Sequence, residues 1–186
     1  MRYWLRGILL SLIITSMFGC HRPIWPMPPI RPERYDCVFI KNAKISGEGY
    51  GDLASIVDGK KIVFVYHYSS ADYGMTDTRT WEALFFEVNP DLQFFEFTDE
   101  EIAQVNCICS ITVPWSSGGG EVKSGYIVGK KLESGGYEVT VNVNLPFTYI
   151  DGKTKKYTIK FKKLFYEYKG EINRLGMEII MNIIDN

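Results

Sequence analysis

Cys37, Cys107 and Cys109 are the side chains of this sequence best suited to covalent chemistry. Cys107 and Cys109 stand two apart in Cys107-Ile108-Cys109-Ser110-Ile111-Thr112-Val113, a run with the composition of a strand, so both face the same way. Neighbours of that kind are badly placed to bond to each other. The expected bridge joins Cys37 to Cys107, or to Cys109, with Cys107 favoured because it lies nearer a helix end. It would close a loop of about 70 residues and stabilise by roughly 4 kcal/mol on a chain-entropy argument. Three reduced cysteines in a core are the alternative. Cys-x-Cys together with His67 falls short of the four paired ligands of a structural zinc site, so neither a metal nor another cofactor is expected.

Hydrolytic chemistry has candidates but no motif. Ser69 or Ser70, His67 and Asp72 hold the residue types of a triad, yet residues so close in sequence rarely converge. No Gly-x-Ser-x-Gly elbow is present. Glu82, Glu87 and Glu96 lie among aromatics and could serve as glycosidase acids, although their spacing proves nothing. The long polar segment Ser69 to Trp81 reads as a loop able to carry a ligand, with Asp72, Tyr73, Asp77, Arg79 and Trp81 as its binding residues. Ser116-Ser117-Gly118-Gly119-Gly120-Glu121 lacks the Gly-Lys-Ser ending of a phosphate loop and reads as a flexible hairpin connection.

The elements that would position these residues are strands. Aromatic residues make up 15% of the chain, which suits half-buried pleated surfaces. Glu138 to Leu145 and Lys156 to Lys162 alternate apolar and polar, the period of a strand with one face on a core and one on water. The lysines of the second run are thereby a solvated face. At Lys163-Leu164-Phe165-Tyr166 the alternation slips, which predicts a bulge or a strand end. Asp58-Gly59 predicts a two-residue hairpin turn before Lys61 to Tyr68, and Asp151-Gly152 a turn before the Lys156 strand. Asn89-Pro90-Asp91 separates two aromatic runs, Ala83 to Val88 and Leu92 to Phe97, each apolar on both faces as in buried strands. Thr98 with Glu101 forms a capping box and predicts one short helix near 99–105. Met177 to Ile184 suits either a strand or a short helix. The fold class is all-β: an antiparallel β-sandwich or partly open barrel over residues 35–186.

The N-terminus bears on location. Arg2 and Arg6 precede an uncharged run from Gly7 to Phe18, with Gly19 directly before Cys20. A basic start, a short apolar stretch and a small residue at the cut describe a secretory signal peptide. Met17-Phe18-Gly19-Cys20 resembles the lipobox of bacterial lipoproteins, in which the Cys is lipidated and becomes the new N-terminus. Met17 and Phe18 depart from the usual residues, so a cut by ordinary signal peptidase or an uncleaved anchor are the other outcomes. The apolar run is short of the about 20 residues of a membrane span. The resemblance covers residues 1–20 alone. It implies a signal peptide at 1–19, Cys20 as a fatty-acylated (palmitate-bearing) residue, and a lipid-anchored place in the bacterial cell envelope, at the outer membrane or the periplasmic face if there is one. Export would also favour a disulfide. Five of the eight prolines fall in 20–34, which predicts an extended polyproline tether between anchor and domain.

Composition narrows the partners. Of the 21 basic residues Arg2 and Arg6 lie in the signal segment and none of the 22 acids does, so the remainder carries a net charge of −3. That argues against nucleic acid, which requires concentrated positive charge. The expected protein is an envelope lipoprotein that is not an enzyme, with a β domain that binds another envelope protein or a glycan, or serves as a structural component. The rivals are an inhibitor or immunity protein against a secreted hydrolase or toxin, with the Asp72 to Trp81 loop as the plug, and a hydrolase.

Overall fold

The computed structural model describes residues 31–46, 55–71, 79–114, 116–149 and 151–170. Within them the chain forms β1 (Arg34–Ser46), β2 (Ser55–Ser69), β3 (Trp81–Val88), β4 (Phe94–Thr98), α1 (Glu100–Gln104), β5 (Ile108–Val113), β6 (Ser116–Glu121), β7 (Ser124–Lys131), β8 (Tyr137–Thr148) and β9 (Thr154–Glu167). The fold is all-β, one nine-stranded sheet in the order β4-β7-β8-β9-β1-β2-β3-β5-β6. Every pairing is antiparallel except β1 with β9, a short parallel seam of Val38 with Tyr166 and Phe39 with Glu167. The sheet is therefore mixed. Its two halves fold face to face across that seam without closing into a barrel. At the far end Ser116 Oγ on β6 donates to the Thr148 carbonyl of β8 at 3.1 Å.

Between the halves lies the main core. Phe64 is its centre: its ring stacks on Phe86 at 4.9 Å and meets Phe95, Tyr137 and Phe165 edge-on from the opposite half-sheet. β8 supplies Val139, Val141, Val143, Leu145 and Phe147, the apolar members of its period-two pattern. The strand register between β8 and β9 runs unbroken from Tyr137 opposite Phe165 to Thr148 opposite Thr154. Of the bulge or strand end expected at Lys163 to Tyr166, the bulge is thus not formed, while the pairing with β8 stops at Phe165 and β9 itself ends at Glu167. The pattern slips there because Leu164 and Tyr166 are apolar side chains on the water face, while Lys163 stands over the Tyr35 ring at 3.4 Å.

Three local expectations are corrected. Asp58-Gly59 does not turn the chain: β2 runs through it, and the irregularity opposite Ala43 is a bulge. A Cβ on Gly59 would lie 2.7 Å from the Ala43 carbonyl carbon, so glycine is needed for close approach. The Gly118 to Gly120 segment is strand β6, not a flexible connection. Here a Cβ on Gly119 would fall 2.3 Å from the Cys109 carbonyl oxygen. β4 is an edge strand with Phe94 in solvent, so it is not buried on both faces. The Asn89-Pro90-Asp91 turn carries the chain from one half-sheet to the other.

Other signals hold. The Asp151-Gly152 turn links β8 to β9, with Gly152 at φ +76°. In α1 the Glu101 carboxylate reaches back to the Thr98 N–H at 3.0 Å and its hydroxyl at 3.3 Å, one half of the capping box, while Asp99 occupies the N-cap. No helix among the described residues is long and apolar enough to cross a membrane. Residues 1–30, with the signal segment, Cys20 and most of the tether, lie outside the described residues, as does Met177 to Ile184.

Candidate functional site

Strand alternation sends Tyr35 and Cys37 of β1, Tyr66 and Tyr68 of β2, Glu82 of β3 and Tyr157 of β9 toward one end of the space between the half-sheets. Glu82 is the chemical centre. Tyr157 donates its hydroxyl to Oε1 at 2.7 Å, and Tyr66 donates to Oε2 at 3.4 Å. Burial pushes the Glu82 carboxyl above the ordinary glutamate range, and these two hydroxyls offset part of that cost. The Tyr66 and Tyr157 hydroxyls are in turn held against ionisation, chiefly by burial. Tyr66 stacks on Phe161 at 3.9 Å, and Tyr35 packs against Tyr68 at 5.0 Å. At the rim Tyr35 donates to Glu33 at 2.5 Å, which pushes its own pKa up to about 12 and lowers that of Glu33.

A half-buried carboxyl with both oxygens bound by hydroxyls can hold a proton or accept from a ligand hydroxyl or ammonium. It cannot by itself run a two-carboxylate mechanism. The other acids stand apart. Glu87 points to the opposite face of β3 and accepts from the Ile45 N–H at 2.6 Å and Asn106 at 3.3 Å. Glu96 is exposed on β4.

The triad types form no triad among the described residues. His67 is 5% exposed on the far face of β2, opposite Asp36 of β1, with Nδ1 at 3.8 Å from Asp36 Oδ2. His67 and Arg34, the latter at 3.2 Å, hold the Asp36 carboxyl below its ordinary value. The Ser69 hydroxyl turns to the Ser70 carbonyl at 3.5 Å, so it makes no nucleophile–base contact. Asp72, Tyr73 and Asp77 lie outside the described residues. Arg79 and Trp81 do not: Ser70 and Thr80 pinch the base of the loop at 2.9 Å, and Trp81 opens β3 with its Nε1 buried and unpartnered. Trp81 is thus a strand residue and not part of the loop.

The expected disulfide is overturned by register. Cys37 pairs with Tyr66, Tyr66 with Leu84, and Leu84 with Cys109. Three strand spacings of about 4.8 Å separate the thiols by roughly 14 Å, against the about 7 Å that a bridge tolerates. Cys107 directly precedes β5, so the same two strands stand between it and Cys37. All three are free, and Cys107 and Cys109 do share a face in the core. Burial pushes Cys37 up to about 11 and Cys109 up to about 12, and raises Cys107 as well. Among the described residues no group of three His, Cys, Asp or Glu side chains converges for a metal.

Glu82 is visible in the sequence as a candidate acid. Sequence reasoning misses its tyrosine partners, although Tyr66 and Tyr68 at alternate positions of one run signal a shared face. Compared with protein families, with curated proteins and with solved structures, the chain finds no match.

Proposed function

We propose that this chain is a lipid-anchored protein of the bacterial cell envelope whose sandwich is a binding module for a protein partner, not a catalyst. Cys20 would carry the lipid and residues 20–34 the tether. The observation that carries the binding reading is the outer face of β4, β7, β8 and β9. Of the seven exposed large apolar side chains among the described residues, four lie on it: Phe94 at 54%, Tyr126 at 36%, Leu164 at 44% and Tyr166 at 61%. Phe94, Lys130, Glu138 and Leu164 form one row in register across the four strands, and Lys162 pairs with Glu138 at 3.0 Å beside it. Large apolar side chains interspersed with charged ones on one wet face suit a mixed, partly polar protein interface.

A glycan is the second reading, favoured by the row Thr98, Tyr126, Asn142 and Lys160, where an aromatic ring stands among hydroxyl, amide and ammonium groups. Photo-crosslinking in the native envelope tests both. A cross-linker at Leu164 or Tyr166 should give one discrete protein adduct, lost in Phe94→Asp, and none should arise from exposed Lys123. An adduct resistant to proteases and bearing sugar would favour the glycan. The same smear from all three positions would refute a binding face. The anchor has its own test: wild type should incorporate labelled palmitate and Cys20→Ser should not.

A further inference from the structure

The half-sheet of β1, β2, β3 and β5 has a second apolar face, turned away from the main core. Ile40, Ala43, Ile45, Val63, Val65, Ala83, Phe85 and Ile108 form it, each between 0% and 7% exposed. Among the described residues only Val38, Ile56 and Tyr168 pack against it as partly buried hydrophobics. Three side chains at its border cannot remove eight strand residues from water. The equivalent face of the other half-sheet is wet, so this burial is specific to one side of the molecule.

We propose that residues 171–186 close this face as a third layer. The chain is delivered to it. After β9 the Tyr168 N–H donates to the Phe39 carbonyl at 2.9 Å, extending the parallel seam by one residue. Tyr168 itself packs on the second cluster. At Gly170 a Cβ would lie 2.4 Å from the Tyr168 hydroxyl, so the backbone there runs close against a ring already seated on the face. The C-terminal segment has the required composition: Met177, Ile179, Ile180, Met181, Ile183 and Ile184 are six apolar residues in eight. At helical spacing Met177, Ile180, Met181 and Ile184 fall on one stripe, with Glu178, Asn182 and Asp185 opposite. At strand spacing Met177, Ile179, Met181 and Ile183 do so. The length also fits, since four strands span about 14 Å and ten helical residues about 15 Å. Residues 1–19 are richer still in large apolar side chains, but on the reading above they leave with the signal peptide; the two loops outside the described residues are poorer, with Tyr50 and Leu53 in one and Tyr73 and Met75 in the next. The proline-rich tether, with Ile24, Trp25, Met27 and Ile30, is the competitor. This inference rests on the proposed function in setting residues 1–19 aside, and is independent of the wet face.

The test uses the full mature chain carrying Met181→Asp, which strikes the apolar stripe at either periodicity, beside Asn182→Asp, which adds the same charge next to it. Met181→Asp should raise binding of an apolar dye several-fold, lower the melting temperature and promote self-association. Asn182→Asp should leave all three unchanged. A chain ending at Gly170 should behave like Met181→Asp, and a synthetic peptide of residues 171–186 should reverse its dye binding in trans. If the shortened chain fails to fold, the paired point variants decide. Equal behaviour of the two variants would overturn the inference, as would exposure of the face on deleting residues 20–30 instead.

Discussion

Replacing Glu82 by glutamine should make the protein less sensitive to rising pH. Its carboxyl is raised above the ordinary value by burial between the half-sheets. Between the ordinary value, about 4.3, and the raised one, the folded chain therefore holds a proton that the unfolded chain has released. Stability from this group is complete below the ordinary range and is lost as pH rises through the folded-state value. The loss cannot exceed one proton's linkage, about 1.4 kcal/mol per pH unit, and levels off above that value. Glutamine keeps the shape: its amide oxygen accepts from Tyr157 and its amide nitrogen can donate to the Tyr66 oxygen. Asp36 and Glu33, whose values are lowered, act in the opposite sense, losing stability as pH falls. Both are common to the two proteins and cancel in the difference.

Urea denaturation of both proteins at several values between about pH 4 and 8 measures that difference. The advantage of Glu82→Gln over wild type should grow with pH and then reach a plateau. A difference that is flat, or that shrinks as pH rises, would refute the reasoning. Tyr157→Phe supplies the complement. It removes the 2.7 Å bond to the carboxylate and should cost about 1.5–3 kcal/mol at neutral pH, and less at acid pH where the carboxyl is protonated.

Three further outcomes are expected. Cys37, Cys107 and Cys109 should react with iodoacetamide slowly in the folded protein and fully once it is unfolded, with the melting temperature unchanged by reductant; a Cys37 bridge in a non-reducing peptide map would contradict the register. Phe64→Ala should cost about 3–5 kcal/mol by denaturant titration, because it empties the centre of an aromatic cluster contributed by both half-sheets. Gly119→Ala should destabilise more than Gly135→Ala: the first drives a Cβ to 2.3 Å from the Cys109 carbonyl oxygen, while the second, at φ +86° with nothing within 4 Å, meets only backbone strain of about 1–2 kcal/mol. Equal melting temperatures for the two glycine variants would count against β6 as a close-packed edge strand.

Part of this fold was legible in the residues and part was not, for one physical reason. β8 and the first half of β9 separate water from core, so their side chains alternate and the pattern can be read directly. β2 and β3 are buried on both faces over Ile62 to Tyr66 and Ala83 to Phe86, so no period survives to give register. Without register the disulfide could not be judged: Cys37 and Cys109 lie in one row of the sheet, and only the two strands between them forbid a bond. Glycine misled twice for a related reason. Asp58-Gly59 and Gly118 to Gly120 look like turns because turns commonly require glycine, but here glycine answers a backbone carbonyl of the neighbouring strand.

The same asymmetry bears on function. One outer face of the sandwich is buried and the other is wet, although both belong to a single sheet. A side chain buried on both sides of its strand contributes stability and leaves nothing for a partner. The wet face is where large apolar residues are kept in water at a cost that folding does not recover: alternation would have accepted polar residues at 94, 164 and 166. Phe94→Ser, Leu164→Thr and Tyr166→Thr should therefore each change the unfolding free energy by no more than about 0.5 kcal/mol, the usual range for surface substitutions. The triple variant should fold, and should lose the crosslinked adduct. Retention of the adduct by a folded triple variant would move the partner surface elsewhere, with the carboxyl mouth around Glu82 the next to probe.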